Sequence, residues 1–400
     1  MATSQREYNQ LLSKVPQVTI FFWIIKVLCT TVGETFSDFL SINVGLGLPV
    51  TTLVMGIAFA IVLYIQFESS KYNPFIYWLT VVLISVFGTL ITDNMTDGWG
   101  VPLEQSTLLF TLLLAATFLS WYASEKTLSI HSIYTFKREV FYWLTILFTF
   151  ALGTAVGDLY SEQLGLGYLK TGLIVLVVIG SVFAAWKLKL NEILAFWIAY
   201  ILTRPLGASL GDYLSQTKKN GGLELGATLT SVIFLIAILA VIIVLAVTKL
   251  DYLPRSEGAK SDGERSGIQK AWLQSLSTIV VLLVVGIGGY SWCNHHLVPK
   301  VDSTQTTLSG QLNDFISIEN DIENSITIND WKSAKAKADD LEHNWDKSEP
   351  RLRKIDRKAW TQIDGTIDNV LAAVRSKNPD TNKCNTVLAD SINTLNSSNQ

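Results

Sequence analysis

One pattern of four residue types occurs four times in this 400-residue chain and constrains its fold more than any other feature. If the Trp that begins each copy is position 0, a Gly follows at position 10, an Asp at position 15, and a Ser or Thr at position 18. The flanking residues mostly differ, so the pattern indicates a tandem structural repeat and not low complexity. The copies are Trp23–Gly33–Asp38–Ser41, Trp78–Gly88–Asp93–Thr96, Trp143–Gly153–Asp158–Ser161 and Trp197–Gly207–Asp212–Ser215.

The four copies lie in long apolar segments. Hydrophobic residues make up 49% of the chain and charged residues 16%, whereas a soluble protein carries about 25% charged residues. A helix needs about 20 mainly apolar residues to span a bilayer. We therefore predict nine transmembrane helices, near residues 19–38, 48–67, 74–92, 104–122, 139–157, 168–186, 192–211, 225–247 and 272–293.

These spans predict an all-α membrane protein built from four parallel two-helix repeats (eight spans), a ninth span and a small extracytoplasmic helical bundle. Each repeat contains two spans, so all four share one orientation, unlike the inverted repeats of many transporters. The predicted segments are a cytoplasmic N-terminal segment (1–18), a four-repeat transmembrane domain (19–248, with repeats at 19–67, 74–122, 139–186 and 192–248), a cytoplasmic linker (249–271), the ninth transmembrane helix (272–293) and an extracytoplasmic helical domain (294–400).

The distribution of basic residues predicts the orientation. Lys and Arg concentrate in alternate loops, and the loops that follow the four Asp residues contain only Lys170, Lys218 and Lys219. Cytoplasmic loops of membrane proteins are enriched in Lys and Arg. We therefore expect the N-terminus in the cytoplasm and the four Asp residues near the outer surface.

The first helix of each repeat is expected to carry a polar stripe. On a helix with 3.6 residues per turn, several positions of the pattern share one face. In the first copy this face carries Lys26, Thr30, Gly33, Glu34 and Asp38, and most other positions are apolar. Small residues on such a face let helices approach closely. The stripe therefore predicts either a packing seam between helices or the lining of a path.

The repeated Asp is the main functional clue, because a carboxylate at the edge of a hydrocarbon layer needs compensation for its charge. If the Trp anchors the cytoplasmic interface, the Asp lies about 22 Å further along the helix, near the outer edge of the bilayer core. The partly negative helix C-terminus disfavours a carboxylate there. Two interpretations follow: each Asp caps its own Gly-rich loop through backbone amides, or the four converge on a water-accessible axis that binds a cation or proton.

Three further charged residues lie within the apolar segments. Lys26 and Glu34 belong to the first repeat and Arg204 to the fourth, and the equivalent positions of the other repeats are uncharged. Lys26 and Glu34 predict either a structural ion pair or a proton-relay pair. Pro205, directly after Arg204, predicts a break in the seventh span of the kind that lines a cavity.

With its repeats laid out, the chain resembles a bacterial family of membrane proteins that have four tandem two-helix repeats, each with a characteristic Trp. The resemblance covers residues 19–248 and rests on the four Trp-to-Asp motifs and the segment from Lys26 to Glu34. Members are described as uncharacterised membrane-anchored proteins with a repeat of unknown function. The resemblance implies a multi-pass protein of the bacterial inner (plasma) membrane and brings no activity with it.

The last 107 residues, 294–400, differ in character. Their apolar residues recur at helical spacing, which predicts three or four amphipathic helices packed as a bundle, with breaks near 327–329, 348–350 and 378–380. We expect most of their charged residues on solvated faces. His295 and His296 lack Cys or carboxylate partners at ligand spacing, so we expect no metal site there. This region resembles a second uncharacterised helical family through Asp330–Trp331, Ala334, Leu341 and Trp345.

The functional hypothesis is a multi-pass transporter of a cation, proton or small solute, with ion or proton coupling. The alternative is a membrane-anchored sensor or scaffold whose outer helical domain at 294–400 binds an extracytoplasmic protein partner. The sequence contains no nucleotide-binding loop, and we expect no cofactor, enzymatic activity or nucleic-acid partner. The predicted path residues are Asp38, Asp93, Asp158, Asp212, Glu34, Lys26, Arg204, Thr30, Ser41, Thr96, Ser161 and Ser215.

Overall fold

The computed structural model of the chain describes residues 14–218, 221–251, 267–298, 306–376 and 378–400, and for residues 267–276 it describes the helix backbone alone. These residues form helices and contain no strand, which confirms the predicted all-α fold. Most of the predicted linker at 249–271 and of the N-terminal segment at 1–18 lies outside the described residues, so these two assignments stay predictions.

The helices of the described residues follow the predicted order. The first eight form the four repeats, the ninth is the last long apolar helix, and the final four form a separate bundle. They are α1 (Ile20–Asp38), α2 (Leu48–Glu68), α3 (Pro74–Asp93), α4 (Leu103–Glu125), α5 (Phe136–Asp158), α6 (Tyr168–Lys187), α7 (Glu192–Ser215), α8 (Gly226–Thr248), α9 (Gly267–His296), α10 (Asn313–Thr327), α11 (Trp331–Ile355), α12 (Arg357–Arg375) and α13 (Thr381–Ser398).

Nine helices within the described ranges, α1 to α9, are long and apolar enough to cross a membrane. The chain is thus built as a multi-pass membrane protein. The first helix of each repeat buries 56% to 67% of its span inside the molecule, whereas the second helix buries only 11% to 28%. This difference separates four inner helices (α1, α3, α5 and α7) from four outer helices (α2, α4, α6 and α8) whose apolar side chains face outwards.

The four inner helices form a closed ring. Each packs against the inner helix of the next repeat, and α7 packs against α1 to complete the circle. Each outer helix packs against the inner helix of the following repeat: α2 on α3, α4 on α5, α6 on α7, and α8 on α1. Four parallel repeats therefore create one central axis with approximate fourfold symmetry.

The glycines at position 10 of the pattern are the points where neighbouring inner helices touch. A Cβ atom added to Gly33 or Gly207 would lie 2.0 Å from the Oγ of Ser85 or the Oγ1 of Thr30. In each of the four cases the obstructing residue occupies position 7 of the next repeat. Only glycine lets the helices approach this closely. The facing pairs are Gly33 with Ser85, Gly88 with Phe150, Gly153 with Arg204, and Gly207 with Thr30.

Local sequence sets where the inner helices begin. Each starts at a residue whose side chain accepts a hydrogen bond from a backbone amide of the first turn, which compensates for the unpaired amides of a helix N-terminus. These capping residues are Thr19, Asn73, Thr135 and Asn191. In repeats one and three, the outer helices α2 and α6 begin directly after Gly47 and Gly167. The φ angles of these two residues, 72° and 81°, lie in a region that favours glycine.

The inner helices of the first three repeats end in the same way. Each is α-helical up to its Asp and then passes into a five-residue π-helical turn: Phe39–Asn43, Asn94–Gly98 and Leu159–Gln163. Such turns are rare and frequently occur at functional sites. In the fourth repeat α7 continues without this turn to Ser215, and it runs unbroken through Pro205. The predicted break at Pro205 is therefore wrong.

Three of the four pattern Trp residues lie inside the bundle and not at its surface. Trp78, Trp143 and Trp197 are buried, and Trp23 is half-buried. They form an aromatic layer with tyrosines and phenylalanines of the same helices, with centroid distances such as 5.5 Å between Tyr77 and Trp143. The Trp of the pattern is thus a packing residue at the end of the ring opposite the Asp residues, and the assumption of an interfacial anchor is wrong for these three.

Residues 306–400 form the predicted bundle, with four helices, α10 to α13, in its described part. Leu341, Trp345 and Ile363 lie in its core. The predicted break at 348–350 does not occur, because α11 continues through Pro350 to Ile355. The bundle lies over the end of the ring that carries the Asp residues: Arg353 lies 3.7 Å from Asp97, and Arg357 lies 3.9 Å from Glu104. We refer to this end as the capped end and to the opposite one as the sealed end.

Candidate functional site

A fully buried arginine on α7 connects the four inner helices at the centre of the ring. Arg204 donates through Nη2 to the Glu34 carboxylate at 2.5 Å and to the Thr89 hydroxyl at 2.5 Å, and through Nε to the Thr154 hydroxyl at 3.1 Å. Its Nη1 donates to the backbone carbonyl of Thr30 at 3.1 Å. A buried ion pair is tolerated when further hydrogen bonds satisfy the remaining donors. The guanidinium meets this condition and contacts α1, α3 and α5 at once.

Sequence reasoning singled out Glu34 and Arg204 but did not list Thr89 and Thr154 as site residues. Both threonines occupy position 11 of the pattern, the position of Glu34 in the first repeat. The signal was therefore present in the alignment of the four copies. The predicted pairing of Lys26 with Glu34 is wrong, because Glu34 forms its ion pair with Arg204 on another helix.

Lys26 lies between two aromatic rings. Its Nζ is 3.7 Å from the centroid of Phe150 and 4.0 Å from that of Tyr200. The side chain is 1% exposed, and among the described residues its Nζ has no hydrogen-bond partner. An ammonium over aromatic faces is stabilised by the ring quadrupoles. Lys26 thus holds its position through ring contacts and not through an acid.

The sealed end of the ring is closed by packed side chains and buried polar contacts. Within the aromatic layer, the hydroxyls of Tyr77 and Tyr142 lie 2.5 Å apart. Lys14 forms a 2.8 Å ion pair with the buried Glu139. The Tyr72 hydroxyl donates to Asp251 at 2.5 Å, which connects the loop between α2 and α3 to the segment after α8. This half of the ring is a core.

The capped end contains a cavity of about 1230 Å³. Its floor includes Glu34, and its walls are formed by the ends of the inner helices and by the bundle above them. The acidic residues that the repeats contribute to the lining are Glu34, Asp38, Asp93, Asp97, Asp158, Glu162 and Asp212. The bundle contributes Glu342, Asp346, Glu349, Asp364 and Asp368. The Lys residues of the described lining are Lys347 and Lys383, so the cavity is strongly acidic.

All four pattern Asp residues line this one cavity. Asp38, Asp93 and Asp158 make no capping hydrogen bond to the turn that follows them in the described chain. The loop-cap interpretation is therefore wrong for these three. Asp212 is 6% exposed. The structure thus brings together four carboxylates that the sequence separates by whole repeats.

The four two-helix units match the family described as Repeat of Unknown Function (DUF347), at residues 21–72, 76–127, 141–189 and 195–251. The protein belongs to the DUF347 family. No curated protein and no solved structure matches the chain. The family description records a repeat and no activity, so function has to be argued from the cavity and from the ring.

Most predicted hydroxyl residues of the DUF347 repeats are bonded within their own helices. Ser41 donates to the Ser37 carbonyl at 2.8 Å, Thr96 to the Thr92 carbonyl at 3.1 Å and Ser161 to the Gly157 carbonyl at 2.8 Å. Thr30 likewise donates to the Val27 carbonyl at 2.7 Å. Ser41 and Ser161 line the cavity. Their hydroxyls support the helix ends in the structure.

Ser215 differs from its counterparts. It lies at the end of α7, where the fourth DUF347 repeat lacks the π-helical turn. Its hydroxyl is buried without a hydrogen-bond partner among the described residues. The fourth copy thus departs from the other three at both Asp212 and Ser215.

The carboxylates above the DUF347 ring are spread over the cavity and do not form a chelate. Among the described residues, no group of three or more His, Cys, Asp or Glu side chains is arranged to hold a metal ion. Cys29, Cys293 and Cys384 are all free. The arrangement fits a ligand that contacts carboxylates one at a time.

Three charged residues of the bundle, Glu319, Glu349 and Arg353, are buried, whereas most of the others lie at exposed or half-buried positions, as predicted. Glu319 is fully buried, where burial raises the pKa of its carboxyl to about 7 and Ser391 donates a 2.7 Å hydrogen bond. Arg353 is buried beside Glu349, with which it forms an ion pair. Burial, together with the negative charges of Asp97 and Glu342, raises the pKa of Asp368 to about 7. Charge on the bundle thus faces the DUF347 ring as well as solvent.

Proposed function

We propose that this protein is a transporter of cations across the bacterial inner membrane, with the capped end facing the outside. The observation that carries the proposal is the acidic cavity that opens between the ring and the bundle and ends at the Glu34–Arg204 pair. In this arrangement the cavity receives the cation, and the ring separates it from the sealed end.

The charge of the lining supports a cation as substrate. Clefts lined by one sign of charge concentrate counter-ions and speed their association. Ionisable groups within transmembrane segments commonly mark ion or substrate pathways because they are costly to keep there. Asp38, Asp93 and Asp158 meet both descriptions, since they lie at the ends of inner helices and line the cavity.

The two halves of the ring support movement across the membrane and not binding alone. One half is open to a large cavity, and the other is closed by aromatic packing around Trp78 and Trp143. Transporters built from repeats expose a central site alternately to either side through movements of those repeats. The present arrangement corresponds to the state open towards the capped end. Opening the sealed end requires the glycine seams and the Arg204 contacts to rearrange.

Lys26 supports coupling to a proton. It is the buried base next to the central pair, and its charge is held by two rings with no acid in contact. Gain or loss of a proton there changes the charge at the floor of the ring without breaking a hydrogen bond. We therefore assign Lys26 to coupling and the four Asp residues to cation binding.

The orientation follows from the basic residues. The loops at the capped end contain few Lys or Arg residues, whereas those at the sealed end contain many. The positive-inside rule places the sealed end in the cytoplasm. Residues 306–400 then lie outside, where they cover the entrance.

The test uses the full-length protein reconstituted in liposomes. Uptake of a panel of inorganic and organic cations is measured against empty liposomes, for the wild type and for Asp38→Asn and Asp212→Asn. The matched control is Asp314→Asn, an exposed carboxylate on the bundle. We expect uptake to fall in the two cavity variants and to stay unchanged in the control, with equal amounts of folded protein.

The alternative, a sensor or scaffold whose bundle binds a partner, makes the opposite prediction. There the repeats serve as an anchor, and no cation of the panel is carried by any variant. Uptake equal to that of empty liposomes for the whole panel would overturn the transport proposal.

A further inference from the structure

We propose that the ligand of the acidic cavity is an elongated organic polycation of the polyamine type, whose ammonium groups pair with separate carboxylates. This inference rests on the proposed cation transport and names its substrate class. It is carried by the two-level arrangement of the acids, by one buried carboxylate without a partner, and by the shape of the lining.

The acids form two levels that face each other. The lower level belongs to the ends of the inner helices and includes Asp38, and the upper level belongs to α11 and α12 and includes Asp368. Asp38 and Asp368 are near enough to interact electrostatically, as are Glu162 and Glu349. Like charges that face each other across a cavity are costly. A ligand with positive charges at both ends of its chain relieves the repulsion at both levels.

Asp212 supports a cationic ligand. The residue is 6% exposed, and it lines the cavity. Among the described residues it has neither an ion pair nor a side-chain hydrogen bond, whereas Glu34 on the neighbouring helix has Arg204. A buried carboxylate without a partner carries a desolvation cost that a pairing cation offsets.

The geometry favours separate ammonium groups over one metal ion. A divalent ion such as Ca²⁺ requires about six to eight oxygen ligands around one point. The described residues hold no group of three acids or His and Cys side chains arranged in that way. An ammonium group donates three hydrogen bonds and pairs with a single carboxylate. Scattered carboxylates therefore suit several linked ammonium groups.

The size and the apolar part of the lining favour a ligand with methylene segments. Pockets for small molecules have volumes of roughly 300 to 1,000 Å³, and this cavity of about 1230 Å³ is larger. Apolar side chains line the same cavity as the acids, among them Leu46, Leu297 and Leu371. Methylene segments pack on such surfaces, as the stems of Lys side chains do. A hydrated inorganic ion would not make these apolar contacts.

The first experiment measures equilibrium binding to the purified full-length protein in detergent, by calorimetry at constant ionic strength. The probes are spermidine, putrescine, propylamine, Mg²⁺ and K⁺. We expect affinity to rise with the number of linked ammonium groups and spermidine to bind at least about tenfold more tightly than Mg²⁺, because each further charge-assisted pair contributes over 1 kcal/mol. Mg²⁺ or K⁺ binding as tightly as spermidine would overturn the inference.

Variants locate the site. Asp212→Asn and Asp368→Asn, one from each level, should each weaken spermidine binding by about tenfold, and Asp314→Asn should leave it unchanged. Thermal melting of each variant shows whether it is folded, and Asp38→Asn replaces Asp212→Asn if the latter does not fold. Unchanged affinity in folded variants of both levels would contradict the two-level site.

Liposome uptake separates this inference from the proposed function. If the protein carries K⁺ or Mg²⁺ but neither binds nor carries spermidine, cation transport stands and the polycation inference fails. If no cation is carried and spermidine does not bind, both fail. Spermidine that binds to the wild type but not to the cavity variants, and is carried into the liposomes, supports both.

Discussion

The two halves of the inner ring are made from the same four helices, but one half is packed and the other lines a cavity. In the sealed half, aromatic side chains fill the axis, and the hydroxyls of Tyr77 and Tyr142 pair within this packing. In the capped half, carboxylates line an open cavity, and Asp212 is buried without a described partner. Arg204 lies at the boundary. The contrast indicates that packing of aromatic side chains closes the sealed half, whereas the capped half presents carboxylates to a cavity.

The largest expected effect is at the boundary. Arg204→Met leaves Glu34 buried without its cation, which should lower the free energy of unfolding by about 3 to 5 kcal/mol. Adding Glu34→Leu removes the unpaired negative charge. Replacing both members of a buried ion pair by apolar residues often leaves stability unchanged. Thermal unfolding in detergent should therefore show a large loss in the single variant and recovery in the double variant. A single variant as stable as the wild type would show that the pair does not support the ring.

The next largest effect concerns the seams between inner helices. Gly207→Ala places a Cβ 2.0 Å from the Oγ1 of Thr30, and such overpacking should cost about 1 to 3 kcal/mol. The matched control is Gly180→Ala on the outer helix α6, where no described atom lies within 4 Å of the new Cβ. The melting temperature should fall in the first variant and stay equal or rise slightly in the control. Equal melting temperatures for the two variants would refute close packing at this seam.

Two single substitutions, one in each half of the ring, compare the two halves directly. Tyr77→Phe removes one member of the buried hydroxyl pair in the sealed half, which should cost about 1 to 3 kcal/mol because Tyr142 loses its partner. Asp212→Asn in the capped half removes an unpaired charge and should leave stability equal or raise it, while it weakens cation binding. Stability and spermidine binding are measured on both variants. Loss of stability in Asp212→Asn of the same size as in Tyr77→Phe would remove the distinction between the halves.

The smallest effect is the pH dependence of ligand binding. Burial first, and then the neighbouring Asp97 and Glu342, raise the pKa of Asp368 to about 7, while Arg375 opposes this. The pKa of the adjacent Asp364 is also raised, chiefly by burial and then by Asp368. Because the Asp368 carboxyl gains negative charge as pH rises through 7, cation affinity should increase.

Between pH 6 and pH 8, spermidine should bind about fivefold more tightly, which corresponds to roughly 1 kcal/mol for one partly exposed ion pair. Calorimetry at both pH values measures this. Asp368→Asn should flatten the pH dependence, and a wild-type affinity that falls as pH rises would contradict the assignment.

The sequence by itself determined the repeats, the helical class and the nine spans. These features depend on local information: apolar segment length, the recurrence of Trp, Gly, Asp and Ser or Thr, and the 3.6-residue period that places them on one face. The glycines of the pattern also predicted close helix contacts. Thr89 and Thr154 could have been found from the alignment of the copies, since they share position 11 with Glu34.

Tertiary structure alone decided which charges meet. Lys26 and Glu34 share a helix and a stripe, but they are eight residues apart, or about 12 Å along the axis, so Glu34 pairs with Arg204 from the adjacent helix α7 instead. The position of the bundle above the ring, which adds Asp364 and Asp368 to the cavity, has no local signature either. Helical periodicity in the sequence predicts which face of a helix is polar. The register and the neighbours of that face are set by packing between segments far apart in the chain.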